Sequence, residues 1–147
     1  MGKPVFILNG PNLNMLGVRE PDVYGRETLA DIEARLGEKA EGLGCTIIFR
    51  QTNSEGELVD WIQEAGHDGS GVILNAGAYT HTSVALHDAL LSVNIPAIEV
   101  HLSNIFAREE FRHHSYISKV AHGVICGFGA LGYEFALEAI TRKINKK

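Results

Sequence analysis

The chain has 147 residues, and 45% of them are hydrophobic, which is the length and composition of one ordinary globular domain rather than a disordered segment. Its net charge of −5 argues against a nucleic-acid-binding protein, which normally carries a basic patch. No apolar run approaches the ~20 residues that cross a bilayer, so we expect a single domain over residues 1–147 without a membrane span.

Short β-branched runs alternate along the chain with longer helical patterns. In chain order the predicted elements are strand 4–9, helix 28–43, strand 45–51, helix 55–67, strand 71–75, helix 82–93, strand 96–101, strand 124–128 and helix 130–144. The strands are almost continuously apolar, as in a parallel sheet that is covered on both faces. The pattern therefore predicts an α/β fold, namely a flavodoxin-like doubly wound sheet of five parallel strands in the order 2-1-3-4-5.

Two features of the sequence indicate the cellular compartment of the protein. The first apolar run, residues 5–8, is too short for a signal peptide and is followed by polar residues, so we expect a cytoplasmic protein. The two cysteines, Cys45 and Cys126, form no CxxC pair and lie in apolar runs. Reduced thiols in the core are the expected reading of that pattern.

Polar side chains follow three strands that are predicted to end side by side. Ligands of open parallel sheets bind beyond the carboxyl ends of the strands, where the strand order reverses, which here lies between strands 1 and 3, next to strand 4. The candidate residues are Asn9, Asn12, Asn14, Arg19 and Tyr24 after strand 1, Asn75, Tyr79 and His81 after strand 3, and Glu99, His101, Ser103, Arg108 and Arg112 in or after strand 4. The long irregular stretches 10–27 and 102–122 carry many of them, and loops of that length are usually functional.

Each candidate also has a purely structural interpretation. The asparagines could cap turns, Tyr24 could be a half-buried loop aromatic, and His81 could cap the following helix. His101 could be a core histidine paired with Glu99, because residues two apart on a strand share one face. A carboxylate beside an imidazole also fixes a catalytic tautomer. The presence of all these groups on adjacent strand ends favours the functional interpretation.

Three further patterns carry less weight. The segment 127–132 matches GxGxxG, but the acidic residue that the dinucleotide fingerprint needs about twenty residues later is missing, so we expect no nucleotide site. The seven histidines show no metal-ligand spacing, so no metal is expected. Residues 51–54, after strand 2, predict a helix N-cap and no part in the site.

The segments NGPNLNMLGVREPDVYG (9–25), EGELVD (55–60), NAGAYTHT (75–82) and EVHLSN (99–104), with Arg108 and Arg112, resemble type II 3-dehydroquinate dehydratases. The match is collinear and covers nearly the whole chain. The resemblance implies dehydration of 3-dehydroquinate to 3-dehydroshikimate, in the shikimate or quinate pathway. It also implies a flavodoxin-like fold, no cofactor, and a homododecamer that is a tetramer of trimers.

The resemblance also implies a role for each matching residue. Tyr24, as a tyrosinate, would take a proton from C2 of the substrate, and Arg19 would make this possible. Asn12 would help to hold a water near the developing enolate, while His101, oriented by Glu99, would protonate the leaving C1 hydroxyl. The implied substrate-binding residues are Asn75, His81, Leu102 through its backbone, Ser103 and Arg112, with Asp88 reaching in from a neighbouring subunit.

Two other classes of function remain open on the residues alone. A non-catalytic flavodoxin-like binding or signalling domain would share the fold, and FMN binding would colour it yellow. A receiver domain would need an acidic cluster after strand 1, where this sequence has amides. A structural interaction module would leave the polar loops without chemistry.

Overall fold

The structure, a computed structural model, describes residues 2–18, 22 and 26–146. The strands are β1 (Val5–Asn9), β2 (Ile47–Gln51), β3 (Gly71–Asn75), β4 (Ala97–His101) and β5 (Gly123–Cys126). The α-helices are α1 (Leu29–Leu43), α2 (Glu55–Asp68), α3 (Val84–Ser92) and α4 (Leu131–Asn145), and short 3₁₀ helices span Leu13–Met15, Gly77–His81, Ile105–Ala107 and Glu110–Arg112.

The five strands form one parallel sheet in the order β2-β1-β3-β4-β5, which confirms the predicted fold class and topology. Asn9 at the end of β1 is in register with Asn75 at the end of β3. The ends of β1, β3 and β4 therefore lie together at one edge of the sheet. The predicted strand over 124–128 extends too far, because Gly127 has a φ of 96° and leaves the extended conformation.

The helices cover both faces of the sheet, so the core has two halves. One half packs α1 and α4 against the sheet through residues such as Leu36, Val100 and Leu137. The other half packs α2 and α3 against the opposite face around Phe6 and Leu58. Within the described residues, no helix is long and apolar enough to span a membrane.

Local signals explain where the helices begin. Thr28 accepts a hydrogen bond from the Asp31 N–H and forms a capping box with that residue, so α1 begins one residue after the predicted start. Ser54 and Ser83 cap α2 and α3 in the same manner, each through its hydroxyl oxygen. The cap at Ser54 confirms the prediction for that position.

Gly10 lies where the segment that follows β1 passes close to the segment that follows β3. Its N–H donates to the carbonyl of Asn75 at 2.8 Å, and a Cβ on Gly10 would collide with the carbonyl group of Ala76. Only glycine fits this position without displacing one of the two strand ends that carry the polar residues.

Gly10→Ala should lower the free energy of unfolding by about 1–3 kcal/mol, because a methyl group is forced against rigid backbone. Gly37→Ala is a suitable control, since that glycine lies in α1 with open space around a new Cβ. It should raise stability by about 0.5–1 kcal/mol. Urea unfolding of both variants measures the difference, and equal effects would contradict the close approach at Gly10.

Candidate active site

A pocket of about 290 Å³ lies beyond the carboxyl ends of β1, β3 and β4. This is near the lower end of the volumes typical of small-molecule sites. Its walls carry Asn12, Asn75, His81, His101, Leu102, Ser103, Arg108 and Arg112, together with apolar residues such as Leu13 and Ile105. Among the described residues, two guanidinium groups line this pocket and no lysine or carboxylate does, so it suits a small polar anion.

A buried carboxylate lies behind the pocket wall at Glu99. Its side chain is 0% exposed, and Oε2 lies 2.5 Å from Nε2 of His101, which is 5% exposed and faces the pocket. Ser115 donates a hydrogen bond to Oε2 at 3.0 Å, and Ser118 donates to Oε1 at 2.5 Å. Both carboxylate oxygens are therefore satisfied, as a buried charge requires.

These partners decide the protonation state of Glu99. Burial is the largest single influence and favours the neutral acid, but the hydrogen bond and charge of His101, together with the two serine hydroxyls, hold the pKa of Glu99 below its usual range. A charged carboxylate can only accept hydrogen bonds, so Nε2 of His101 carries the proton between them. Nδ1 is then the ring nitrogen available to a bound molecule.

His81 lies across the pocket from His101, with the two rings stacked at 15° and their centroids 6.4 Å apart. Its Nδ1 donates a hydrogen bond to the carbonyl of His114 at 2.8 Å. Partial burial lowers the pKa of His81, and the charges of His101 and Arg112 lower it further, against the raising effect of that carbonyl. His81 is therefore neutral at neutral pH, with Nε2 free to accept a hydrogen bond.

The amides at the ends of β1 and β3 are joined by a buried phenol. Asn75 donates through Nδ2 to the hydroxyl of Tyr133 at 2.9 Å, and that hydroxyl donates to Oδ1 of Asn9 at 2.5 Å. Asn9 in turn donates to the carbonyl of Arg50, and Asn75 accepts from the N–H of Gly77. The side chain of Asn75 thus reaches the pocket in one fixed orientation.

The last residue of β2 and the residues that follow it hold the loop after β1. This corrects the expectation that residues 51–54 serve only as a helix cap. The Asn53 side chain accepts from the N–H of Asn12 at 3.0 Å, and Gln51 donates to the carbonyl of Gly10 at 3.1 Å. Asn12 has a φ of 70°, a left-handed conformation that asparagine tolerates, and its side chain makes no cap. The side chains of residues 51 and 53 therefore shape the pocket rim indirectly.

The two arginines approach the pocket from the long segment after β4. Nε of Arg112 lies 2.8 Å from Oε1 of Glu109, and Nε of Arg108 lies 3.8 Å from the same oxygen. One exposed carboxylate thus orients both guanidinium groups along the rim. Arg108 and Arg112 also line the pocket, as predicted from their position after strand 4.

Among the described residues, the structure gathers most of the site residues that the resemblance implies and leaves Asp88 elsewhere. Arg19 and Tyr24 lie outside the described residues, although their described neighbours Gly17 and Arg26 approach closely, since a Cβ on Gly17 would lie 2.8 Å from the Arg26 carbonyl. Asp88 is exposed on α3, 3.0 Å from Nδ1 of His87, and does not line the pocket of its own chain.

Sequence reasoning did not identify the side chains that support the site from a distance. Ser115 and Ser118 lie in an irregular segment, and Tyr133 lies in a helix that follows the last strand. A Ser-x-x-Ser pair in a long loop and a tyrosine on an otherwise apolar helix face were the available signals. Gly132 of the GxGxxG segment packs against Ile125 and Val100.

Among the described residues there is no cluster of three His, Cys, Asp or Glu side chains that could hold a metal ion. Cys45 and Cys126 are free and half-buried. The site that the fold assembles is thus made of imidazoles, amides, hydroxyls and guanidinium groups.

Comparison with known proteins agrees with this geometry. The family described as "Dehydroquinase class II" matches residues 3–141. The 3-dehydroquinate dehydratase of Hyphomonas neptunium is 63% identical over 97% of this chain and 95% of its own length, and that of Rhodopseudomonas palustris strain TIE-1 is 54% identical over 99% and 97%.

Solved structures agree as well. The type II dehydroquinase from Propionibacterium acnes superposes with a TM-score of 0.93 at 47% identity, covering 97% of this chain and 98% of its own. The type II dehydroquinase from Butyrivibrio crossotus superposes with a TM-score of 0.92 at 42% identity, covering 95% of this chain and 97% of its own. With a matching family, near-full-length relatives and the predicted fold, the chain belongs to the class II dehydroquinase family.

Proposed function

We propose that this chain is a hydro-lyase that removes water from 3-dehydroquinate to give 3-dehydroshikimate. The observation that carries the proposal is the pocket wall formed by His101 over the ionised, buried Glu99, in a chain of the class II dehydroquinase family. The substrate is a small carboxylate with several hydroxyl groups. A pocket with two guanidinium groups, two imidazoles and an amide matches such a molecule.

The first step needs a base for the C2 proton beside the ketone. We assign this role to Tyr24 as a tyrosinate. A phenol has an ordinary pKa near 10 and is a poor base at neutral pH, so the assignment requires the Arg19 guanidinium to stabilise the anion. Asn12, on the pocket rim, would hold a water against the enolate that forms. The fixed backbone of Asn12 on Asn53 supports this placement.

The second step needs an acid for the departing C1 hydroxyl. Protonated His101 donates its proton to that oxygen, the C1–O bond breaks, and water leaves as the enolate collapses to the conjugated enone. Glu99 fixes the orientation of the imidazole, because its charged oxygens can only accept. The proton taken from C2 and the proton given to the hydroxyl balance the loss of one water.

The remaining pocket residues bind substrate without exchanging protons. Neutral His81 accepts from a substrate hydroxyl, and Asn75 and Ser103 form further hydrogen bonds. The backbone of Leu102 and the guanidinium of Arg112 bind the carboxylate, for which the fork of an arginine is well suited. A Schiff-base mechanism would need a lysine in the pocket, and the pocket lining among the described residues contains none.

Direct assay tests the proposal. Purified protein mixed with 3-dehydroquinate should produce the ultraviolet absorbance of a conjugated enone carboxylate, with no added cofactor. Absence of this signal at high protein concentration would reject the proposed activity.

We also propose that the chain assembles into a homododecamer, a tetramer of trimers, in which Asp88 reaches the site of a neighbour. Val84 and Leu91 are 52% and 64% exposed, and they share a face of α3 with Asp88 because the spacings are four and three residues. Phe128, Leu131 and Phe135 form a second exposed apolar patch near β5. A closed assembly built from trimers needs more than one kind of interface, and two patches supply them.

Within this proposal the chain acts as one catalytic domain in the cytoplasm. The two free cysteines support a reducing compartment, because proteins of oxidising compartments commonly pair their thiols. The single continuous sheet, with strand ends that border the pocket, supports a single catalytic domain.

Tyr24→Phe should reduce kcat by at least about a hundredfold, the usual contribution of a general base, while the affinity for substrate survives. Tyr116→Phe makes the same chemical change at a half-buried position outside the pocket lining and should keep kcat. Steady-state assays of both variants provide the measurement. A Tyr24→Phe enzyme with nearly unchanged kcat would show that another group is the base.

Ser118→Ala should move the acidic limb of the pH–activity profile to higher pH. The partners of Glu99 hold its pKa below the usual range, so its stabilising charge is present above the unfolded pKa and is lost as the pH falls through the folded pKa. Removing one hydroxyl raises that folded pKa, so the loss begins at higher pH. The histidine and arginine groups that face the pair, His81 and Arg112, stay unchanged.

The same variant should lose about 1–3 kcal/mol of unfolding free energy, because Oε1 of Glu99 loses a buried hydrogen bond. Ser70→Ala removes a hydroxyl that donates to the Pro4 carbonyl at the opposite end of the sheet and should leave the pH profile in place. An unshifted acidic limb in a folded Ser118→Ala enzyme would contradict the role given to the serine.

Asp88→Asn should weaken substrate binding by several-fold without lowering the unfolding temperature, and dilution of the wild type to monomers should lower its specific activity. Asp60→Asn, an equally exposed aspartate on α2, is the matched control and should change neither. Sedimentation combined with activity assays checks both claims. Monomers with full specific activity would refute the shared site.

A further inference from the structure

We propose that Tyr133 is a positioning residue for the reaction, and that its hydroxyl, together with the Gly77 N–H, holds the Asn75 amide in the orientation that meets the substrate. Tyr133 lies on α4, and its side chain is 0% exposed. It does not line the pocket, so it acts only through Asn75, which does. The inference rests on the proposed function for its kinetic readout.

Hydrogen bonds link the Arg50 carbonyl, Asn9, Tyr133 and Asn75 in series. The Arg50 carbonyl, at the first end of this series, sets the direction of each bond. The carbonyl of Arg50 can only accept, so Asn9 must turn its Nδ2 toward that oxygen, at 3.0 Å. Oδ1 of Asn9 then faces Tyr133 and needs a donor. The phenol has a single proton, and it is used in this bond, at 2.5 Å.

The hydrogen bond between Tyr133 and Asn75 orients the Asn75 amide. Once its proton is committed to Asn9, the Tyr133 oxygen can only accept, so Asn75 must present Nδ2 to it, at 2.9 Å. Oδ1 of Asn75 then faces the N–H of Gly77, which lies 3.2 Å away. Either amide orientation fits sterically, because oxygen and NH₂ are nearly isosteric. The Tyr133 hydroxyl and the Gly77 N–H therefore select the same orientation of the amide.

The environment keeps the phenol in the required state. Burial raises the pKa of Tyr133 above its usual range, so the hydroxyl is protonated at neutral pH. The ring packs in the core half under α4 with Val100 and Leu137, and that packing does not depend on the hydroxyl. Loss of the oxygen alone therefore tests the hydrogen bonds separately from the ring.

Tyr133→Phe removes the hydroxyl and leaves the Asn75 amide held by the Gly77 N–H alone, so its position loosens. The KM for 3-dehydroquinate should rise roughly five- to thirtyfold, the effect of one or two kcal/mol, while kcat falls by a smaller factor. Thr141→Val removes another buried hydroxyl of α4, one that donates to the Glu138 carbonyl, and should leave KM unchanged. A folded Tyr133→Phe enzyme with wild-type KM would overturn the proposal.

A double-mutant cycle separates positioning from general destabilisation. If Tyr133 acts through Asn75, Tyr133→Phe on an Asn75→Ala background should change KM less than twofold. A full, additive increase in KM on that background would overturn the proposal. Asn9→Ala, which removes the acceptor that commits the phenol proton, should raise KM in the same direction and serves where Tyr133→Phe folds poorly.

An NMR measurement on the unaltered protein needs no turnover, so it distinguishes failure of this inference from failure of the proposed activity. The buried Tyr133 hydroxyl proton should give a slowly exchanging signal with cross peaks to the Nδ2 hydrogens of Asn75. Absence of those cross peaks would overturn the positioning role. Absence of turnover in wild type, with the cross peaks present, would instead reject the proposed reaction.

Discussion

The buried carboxylate of Glu99 is the constraint on which the rest of the site depends. Removing a charge from water costs several kcal/mol, so the fold must surround it with donors. His101 supplies one, and two serines from the segment after β4 supply the others. The same bonds that stabilise the charge also orient the imidazole, so one arrangement meets the requirement for stability and the requirement of the proposed acid catalysis.

The buried amides on the other side of the pocket must also be paired, although they carry no charge. Asn9 and Asn75 are buried at the ends of adjacent parallel strands, and each would be costly if unpaired. Tyr133 satisfies both from a helix far along the chain. The pocket thus lies between two buried polar networks, one ionic and one neutral.

Much of the fold and part of the site could be predicted from the sequence because they depend on local periodicity. Apolar runs alternating with amphipathic helices predicted the sheet order, and the two-residue spacing of Glu99 and His101 predicted their contact, since alternate strand residues share a face. Asn75 and His81 were found for a similar reason, because strand ends collect at one edge of a parallel sheet.

The contacts that could not be predicted from the sequence join residues that are far apart along the chain. Tyr133 is separated from Asn75 by 58 residues, and Asn53 from Asn12 by 41, so no spacing pattern links either pair. The role proposed for Asp88 requires a second copy of the chain, which no single-chain periodicity describes. The roles of Arg19 and Tyr24 remain predictions from the resemblance, since both residues lie outside the described part of the chain.

The most direct test of this account is the protonation of the Glu99–His101 pair, read from the ¹⁵N and ¹H NMR signals of the His101 ring in the free protein. The account requires an ionised Glu99 and therefore a proton on Nε2, seen as a far-downfield ¹H signal bonded to that nitrogen. A bare Nε2 with the proton on Nδ1 would mean that the carboxyl is the donor. That result would contradict both the buried charge and the assignment of His101 as the acid.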